Sequence, residues 1–523
     1  MLRRLLIIVG FMMLSVGVYA QHNTSKTKQL QKLNFVYQQI SNNYVDDIPL
    51  DNLVEAAITA TLAELDPHSV YISAEDMRKT REALDGKFSG VGIRYQQLND
   101  TLVVNSTIEG GPAERAGIRK NDRIVSADGV SLVGLTSDEV QNTLRGAKGS
   151  KLSLGIVRRG VAERVYVELA RDIVDVSPIS SAIHLSDEVG YIAISTFAKS
   201  TAEEFLHSIK QIDDVKCLIV DLRGNGGGSL QAALNTTSLF MRKGEIIVST
   251  EERNGKTLDY NATTNGALRN MPLIVLIDEN TASASEIFAG AIQDHDRGVI
   301  IGRTSFGKGL VQRQMELGDG SAIRLTTSKY KTPSGRLIQR PYTIGDRDSY
   351  YRDTMRFTRL DTLSHPDSLT YLTLNNRRTV YGGGGINPDL YIARDTAALS
   401  PVVSSAIMCR AIGDAVVHFY DRHDIESLRG RYPTIKSFDE SFSVDDYTYN
   451  YMLRLLNERA TTAPSTEDDE AMLRLLLKAN IGEDIHRGAY KYIYNRSHDA
   501  ILMRAIEIAH NDAEQIKILH SLK

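Results

Sequence analysis

Residues 173–395 alternate short apolar runs with helical patterns, and no other feature restricts the possible folds as much. Tyr191 to Ile194, Cys217 to Leu222, Leu273 to Ile277 and Val299 to Ile301 read as strands. Ala202 to Ile212, Leu230 to Met241 and Ser285 to His295 read as helices between them. Wholly apolar strands separated by helices indicate βαβ units around a buried, largely parallel sheet. Such a sheet gathers ligands at the carboxyl ends of its strands, so the loops that follow these strands are where chemistry is expected.

The flanking regions have other patterns. Residues 22–86 read as helices: Leu33, Val36, Tyr37 and Ile40 share one face, and Leu53, Ala56, Ala57 and Ala60 another. Residues 87–172 carry short β-like runs between Gly turns, with one helical pattern at Ser137 to Leu144. Residues 397–523 return to helix. Leu502, Ala505, Ile506 and Ala509 form a stripe there, and the polar stretch Thr461 to Asp469 forms a loop around Pro464. The expected fold class is therefore α/β and multidomain. An N-terminal helical region (22–86) precedes a small β-rich module (87–172), an α/β core (173–396) and a C-terminal helical extension (397–523).

Charge and cysteine content remove several function classes. The net charge of −4 argues against nucleic acid as a partner, because phosphate binding needs a basic surface. Two cysteines cannot staple 523 residues, and Cys217 lies in a strand-like run, so it is expected as a buried free thiol. At the N-terminus, Arg3 and Arg4 precede an apolar run from Leu5 to Val18, and Val18-Tyr19-Ala20 ends in a small residue. That order fits a signal peptide over residues 1–20, cut after Ala20; an uncleaved anchor is the alternative. The chain is expected to be exported and periplasmic, or membrane-associated if the segment stays.

Three loops carry candidate chemistry. The strand ending at Leu222 runs into Arg223-Gly224-Asn225-Gly226-Gly227-Gly228 and then a helix. Backbone N–H groups in such a turn can hold a phosphate or a developing oxyanion. A plain tight turn is equally compatible, and the spacings of the nucleotide-binding motifs are missing. Next, Thr281-Ala282-Ser283-Ala284-Ser285-Glu286 opens a helix. Ser283 or Ser285 could be a nucleophile with the N–H of Ala284 as oxyanion donor, or Ser-x-x-Glu could be only a capping box. Third, Gly302-Arg303-Thr304-Ser305-Phe306-Gly307-Lys308-Gly309 follows Val299 to Ile301. Lys308 is a solvated cation or a base, and a base needs burial to lower its pKa. Glu286 must then not pair closely with Lys308. Ser305 and Lys308 also match S-x-x-K, although Gly307 and Gly309 disfavour the helix that motif needs. Asp294-His295-Asp296 suggests a metal or a His–Asp pair, but a His at a helix end is commonly just a favourable cation. No metal or cofactor is expected.

Together the three stretches resemble the carboxy-terminal processing (tail-specific) proteases, PDZ-containing serine peptidases with a Ser/Lys dyad. The 25-residue spacing from Ser283 to Lys308 matches that family and selects Ser283 over Ser285. The resemblance implies Ser283 as nucleophile, Lys308 as general base and Gln312 as the residue that orients it. Oxyanion donors would be Ala284 N–H and one from Gly227 or Gly228. It covers about residues 30–395. Leu65-Asp66-Pro67-His68-Ser69 is similar to the family's N-terminal region. Residues 87–172 resemble its PDZ domain, with Gly90, Val91, Gly92 and Ile93 in the loop that holds a peptide carboxylate. Thr332-Pro333-Ser334-Gly335-Arg336 and Tyr381-Gly382-Gly383-Gly384-Gly385-Ile386 also look familial.

The implied function is an exported endopeptidase that selects protein or peptide substrates by their free C-termini. The helical regions are the candidates for self-assembly, and an adaptor protein is a candidate partner. Two alternatives stand beside this: a catalytically inactive PDZ adaptor, and a penicillin-binding-like acyltransferase using Ser305.

Overall fold

The structure, a computed structural model, describes residues 26–98, 100–357, 369–394, 399–464 and 466–520. The segment assigned to export lies outside the described residues. The chain divides into two compact units, residues 1–66 and 67–523.

The first unit carries helices 26–43 and Leu50–Ala63. Of its two apolar faces, Leu33, Val36, Ala56, Ala57 and Ala60 are exposed, while Tyr37, Ile40 and Leu53 are half-buried. The expectation of helices over 22–86, interrupted only by a break at Asp66-Pro67-His68-Ser69, needs correction. Val70–Ile72 is a strand, paired antiparallel with Ala322–Lys331, and helix Ala74–Asp85 follows it behind the Ser73 N-cap.

The α/β core is built on a six-stranded sheet. Its order is Ile179–His184, Val189–Ile194, Cys217–Asp221, Leu273–Ile277, Val299–Gly302 and Leu390–Tyr391. The first pair is antiparallel and the rest are parallel. Every residue of the four central strands is buried, as both-faces-covered parallel strands require. Helices Thr201–Gln211, Leu230–Ser238 and Ala284–Asp294 pack on one face with Phe197, Phe205, Phe240 and Phe288. The other face is covered by helix Ala500–Ala509, whose Ile501, Leu502, Ala505, Ile508 and Ala509 pack on Val189, Ile219, Ile274 and Ile301. The C-terminal extension thus completes the core as well as forming its own cluster of helices around Phe419, Phe438, Leu456 and Leu477.

A second sheet was not foreseen. Val70–Ile72, Ala322–Lys331, Ile246–Glu252 and Thr257–Asn261 lie side by side, and Leu310–Glu316 pairs with the other edge of Ala322–Lys331. All these pairings are antiparallel.

The β-rich module is an antiparallel sheet in the order Ile93–Leu98, Thr101–Thr107, Arg123–Ala127, Lys151–Val157 and Val165–Ala170. Helix Ser137–Leu144 starts at a capping box between Thr136 and Glu139 and buries Val140 and Leu144 in the module's core. Strands Lys87–Gly90 and Asp172–Asp175 pair where the chain enters and leaves it.

Candidate active site

Ser283 sits at the N-terminus of helix Ala284–Asp294, immediately beyond strand Leu273–Ile277 and its loop. Its backbone is at φ 56° and ψ −113°, outside the regions a serine favours. Such a conformation costs of order 1–3 kcal/mol and persists only where neighbours over-determine it. Here they do. The Ser283 N–H donates to Glu286 Oε2 at 2.8 Å, and its carbonyl accepts from the N–H groups of Glu286 and Ile287 at 2.9 and 3.0 Å. Ser283 is half-buried, whereas Ser285 is wholly buried and donates to the Asn225 carbonyl at 3.0 Å. Of the two serines, Ser283 is the accessible one.

Glu286 is fully buried and accepts four hydrogen bonds. Ser305 Oγ and Gly307 N–H reach Oε1 at 2.6 and 2.7 Å; Ser283 N–H and Lys308 N–H reach Oε2 at 2.8 and 2.9 Å. Burial pushes its carboxyl above the ordinary glutamate value although all four donors pull the other way. The capping-box reading captures one of these bonds. The same carboxylate also builds the Lys308 loop, so it stands against the Lys308 backbone, closer than the sequence reading required.

Lys308 is half-buried between Gly307 and Gly309 in a non-helical loop. The Tyr330 hydroxyl donates to the Lys308 carbonyl at 2.6 Å and lies 3.2 Å from that of Ser283. The Gly309 N–H donates to Gln339 Oε1 at 2.8 Å, and the Gly309 carbonyl accepts from Tyr330 N–H at 2.9 Å. Gln312 lies on strand Leu310–Glu316 at a register shift; its Nε2 donates to the Leu310 carbonyl at 3.1 Å and to Thr326 Oγ1 at 3.4 Å.

The Gly-rich turn closes over Ser283. Gly227 has φ 105°, and a Cβ added there would lie 2.9 Å from both Ser283 Cβ and Ala284 N, so only glycine fits. The Gly227 N–H donates to Asn225 Oδ1 at 2.9 Å and is spent. Among the described residues, no group accepts the N–H of Gly228 or Ala284. Asp221 and Arg223 anchor the turn from below. Arg223 pairs with Asp221 and, at 2.7 Å, with Asp499, while Tyr191 OH donates to Asp221 at 2.7 Å. Burial alone would raise the Asp221 carboxyl; the Arg223 guanidinium outweighs it and holds the pKa below the usual value.

The remaining candidates separate from this cluster. Ser305 is buried, donates to Glu286 and accepts Ile386 N–H at 2.6 Å, so its hydroxyl is a structural link. His295 caps its helix and bonds the Ile246 carbonyl at 2.8 Å; Asp294 pairs with buried Arg336, and Asp296 with Arg378. Among the described residues, no group of three or more His, Cys, Asp or Glu could hold a metal ion. Ser69 Oγ accepts Thr326 N–H at 3.1 Å, which ties Pro67-His68-Ser69 to the second sheet. In the β-rich module, Gly90 ends a strand and Ile93 starts the sheet's edge strand. The Val91 and Gly92 carbonyls turn inward, accepting Ala113 and Ile108 N–H. Among the described residues, nothing accepts the N–H of Gly92, while the Gly90–Arg145 bridge turns the Val91 N–H toward the Leu144 carbonyl.

Tyr330 is the residue sequence reasoning missed. The only local signal was its position two residues before the familial Thr332-Pro333-Ser334-Gly335-Arg336 stretch.

Residues 188–347 match Peptidase family S41, residues 81–157 match the PDZ domain, and residues 14–76 match the N-terminal domain of the activating protease CtpB. The chain is 36% identical over 353 residues to a carboxy-terminal-processing protease of Bartonella bacilliformis, covering 65% of this chain and 81% of that one. It is 34% identical over 331 residues to the carboxy-terminal processing protease CtpB of Bacillus subtilis, covering 62% and 69%. Among solved structures, it is similar to a photosystem II D1 C-terminal processing protease, with 30% identity, a TM-score of 0.33 and coverage of 58% and 83%.

Proposed function

Because the chain belongs to peptidase family S41, as a serine-type peptidase carrying a PDZ domain, we propose that Ser283 and Lys308 are its catalytic dyad. The observation that carries this is the joint anchoring of the two residues: one carboxylate oxygen of Glu286 accepts both backbone N–H groups. In this reading Ser283 Oγ attacks the scissile carbonyl while the neutral Lys308 amine takes its proton. The oxyanion accepts from Ala284 N–H and, because Gly227 N–H is already spent, from Gly228 N–H. Lys308 returns the proton to the leaving amine, and water then cleaves the acyl-Ser283 ester by the same route. Gln312 orients the Lys308 amine.

The PDZ domain supplies selectivity. The N–H of Gly92, with Gly90, Val91 and Ile93 framing it, would hold a substrate's terminal carboxylate while its last residues add to the edge strand Ile93–Leu98. The N-terminal segment directs export, placing the enzyme in the periplasm or at the membrane.

The test is turnover of an exported proteome with the new C-termini read by mass spectrometry. Ser283→Ala and Lys308→Arg should each abolish cleavage with the fold intact, since a guanidinium does not deprotonate in a protein. Substantial activity in the Arg variant removes Lys308 as the base, and activity in Ser283→Ala removes the dyad altogether. A chain whose PDZ binds peptides but whose wild type never cleaves would be the inactive adaptor. The Ser305 acyltransferase is disfavoured by that hydroxyl's burial and its two bonds.

A further inference from the structure

We propose that Tyr330 is a positioning residue of the peptidase site, its hydroxyl fixing Lys308 relative to Ser283 by holding both backbone carbonyls. The proposal rests on the dyad reading above.

Two residues that react with each other are 25 positions apart and come from different loops. Neither loop is stiff by itself. Lys308 is flanked by Gly307, at φ 85°, and Gly309, and Ser283 holds a backbone conformation that relaxes unless neighbours enforce it. Glu286 ties the two together at their N–H groups, through legs of 2.8 and 2.9 Å to one oxygen. The helix N–H groups of Glu286 and Ile287 also hold the Ser283 carbonyl, and Gln339 holds the Gly309 N–H, but none of these bonds spans from one residue to the other. Tyr330 supplies a second tie at the opposite end of each residue, through legs of 2.6 Å to the Lys308 carbonyl and 3.2 Å to the Ser283 carbonyl. Two ties fix both the separation and the relative tilt. The phenol has one proton, which lies along the shorter leg to Lys308; the Ser283 carbonyl shares it as the long arm of a three-centre bond.

Tyr330 is suited to the task because it is rigidly mounted. It lies on strand Ala322–Lys331, pairs with Thr250 on the neighbouring strand, and donates its own N–H to the Gly309 carbonyl. The residue is 1% exposed and packs in the main core. Burial, and then the negative charge of Glu286, push the phenol well above its ordinary pKa, so it remains an O–H donor throughout the working range. The second tie therefore does not titrate away.

The experiment compares full-length wild type, Tyr330→Phe and a protein with 4-aminophenylalanine at position 330, using a cleavable peptide. Phe removes only the hydroxyl. A kcat 10- to 100-fold lower with KM within twofold is expected, together with a shift of at least half a unit in the alkaline-rising limb of the pH profile. The amino group of 4-aminophenylalanine carries two hydrogens for two carbonyls, and should restore kcat to within about fivefold of wild type. If Tyr330→Phe does not fold, the 4-aminophenylalanine protein alone decides: folded and active supports the role, folded and inactive overturns it. A Tyr330→Phe protein that folds with kcat within twofold and an unmoved pH limb also overturns it, as does a kcat loss that only tracks a lower folded fraction. Ser283→Ala and Lys308→Arg run in parallel. If both are dead while Tyr330→Phe is unaffected, this inference alone fails; if either is active, the dyad reading fails.

Discussion

Glu286 looks expensive to keep, since a carboxylate with no exposure loses its hydration entirely. Four donors replace that hydration, two on each oxygen. Glu286→Gln would turn an NH2 group toward two of them, at about 1–3 kcal/mol for each buried donor left without an acceptor. We expect kcat/KM to fall at least 100-fold and the melting temperature to drop. The pH dependence is more discriminating. Burial raises the folded-state pKa above the ordinary 4.5, so in the window just above that value the folded protein holds a proton that the unfolded chain has released. Stability attributable to Glu286 therefore rises as pH falls through this window. Activity moves the other way, because a neutral carboxyl cannot accept all four bonds. Parallel melting and kcat/KM measurements between pH 4 and 7 check this. Stability and activity falling together through that window would mean that another group controls the acid limb.

At the scale of elements, helix Ala500–Ala509 joins the last part of the chain to the Gly-rich turn. Asp499 caps it, accepting Ile501 and Leu502 N–H at 3.2 Å, and also pairs with Arg223 below the Gly-rich turn. The two roles separate by substitution. Asp499→Asn keeps the cap and loses the ion pair, whereas Asp499→Ala loses both. We expect the Ala variant to be less stable than the Asn variant by about 1 kcal/mol, the usual worth of a cap, and kcat to fall in both. Equal stability of the two, by chemical denaturation, would refute the capping role.

What could be read in advance followed from how local the signal is. Strand Leu273–Ile277 and helix Ser137–Leu144 were legible to the residue, one as an unbroken apolar run and the other as a helical pattern. The loops bearing Ser283 and Lys308 were legible because they follow such strands. Strands Leu310–Glu316 and Ala322–Lys331 were not, since their half-buried residues show neither a continuous apolar run nor a clean alternation. Tyr330 was hidden with them. The Leu502-Ala505-Ala509 stripe was visible, but its partner is a sheet face built from Val189, Ile219, Ile274 and Ile301, and no spacing along the chain signals a contact that remote.

Within residues 67–523 the PDZ domain is held by the C-terminal helices as well as by its own chain connections. Leu98 and Val103 pack on Val417, and Arg123 lies 3.5 Å from Asp421. At the centre of this contact is Lys120, with its ammonium 2.8 Å from Asp484 and 3.5 Å from the centre of the Tyr420 ring. Its side chain is 12% exposed. Burial lowers its pKa to about 8, overcoming the pull of Asp484, with Arg429 adding to the depression. An ordinary paired lysine stabilises through its charge and loses that stability as pH rises. Lys120 has the opposite sign. Between pH 8 and its unfolded value near 10.5 the folded protein has released a proton that the unfolded chain still holds, so stability grows as pH rises. At about 1.4 kcal/mol per unit the full effect is on the order of 3 kcal/mol. Lys120→Met should remove this slope and leave stability at pH 7 unchanged or higher, because a well-packed apolar group can replace a buried ion pair without loss. Asp484→Asn should do the reverse, stranding a buried cation and weakening the contact at pH 7. Hydrogen exchange across Leu98–Val103 and Ile412–Tyr420 for the three proteins at pH 7, 8.5 and 10, corrected for the intrinsic rates, reads the contact directly. If wild type gains no protection relative to Lys120→Met as pH rises, Lys120 does not hold the PDZ domain in the way its burial implies.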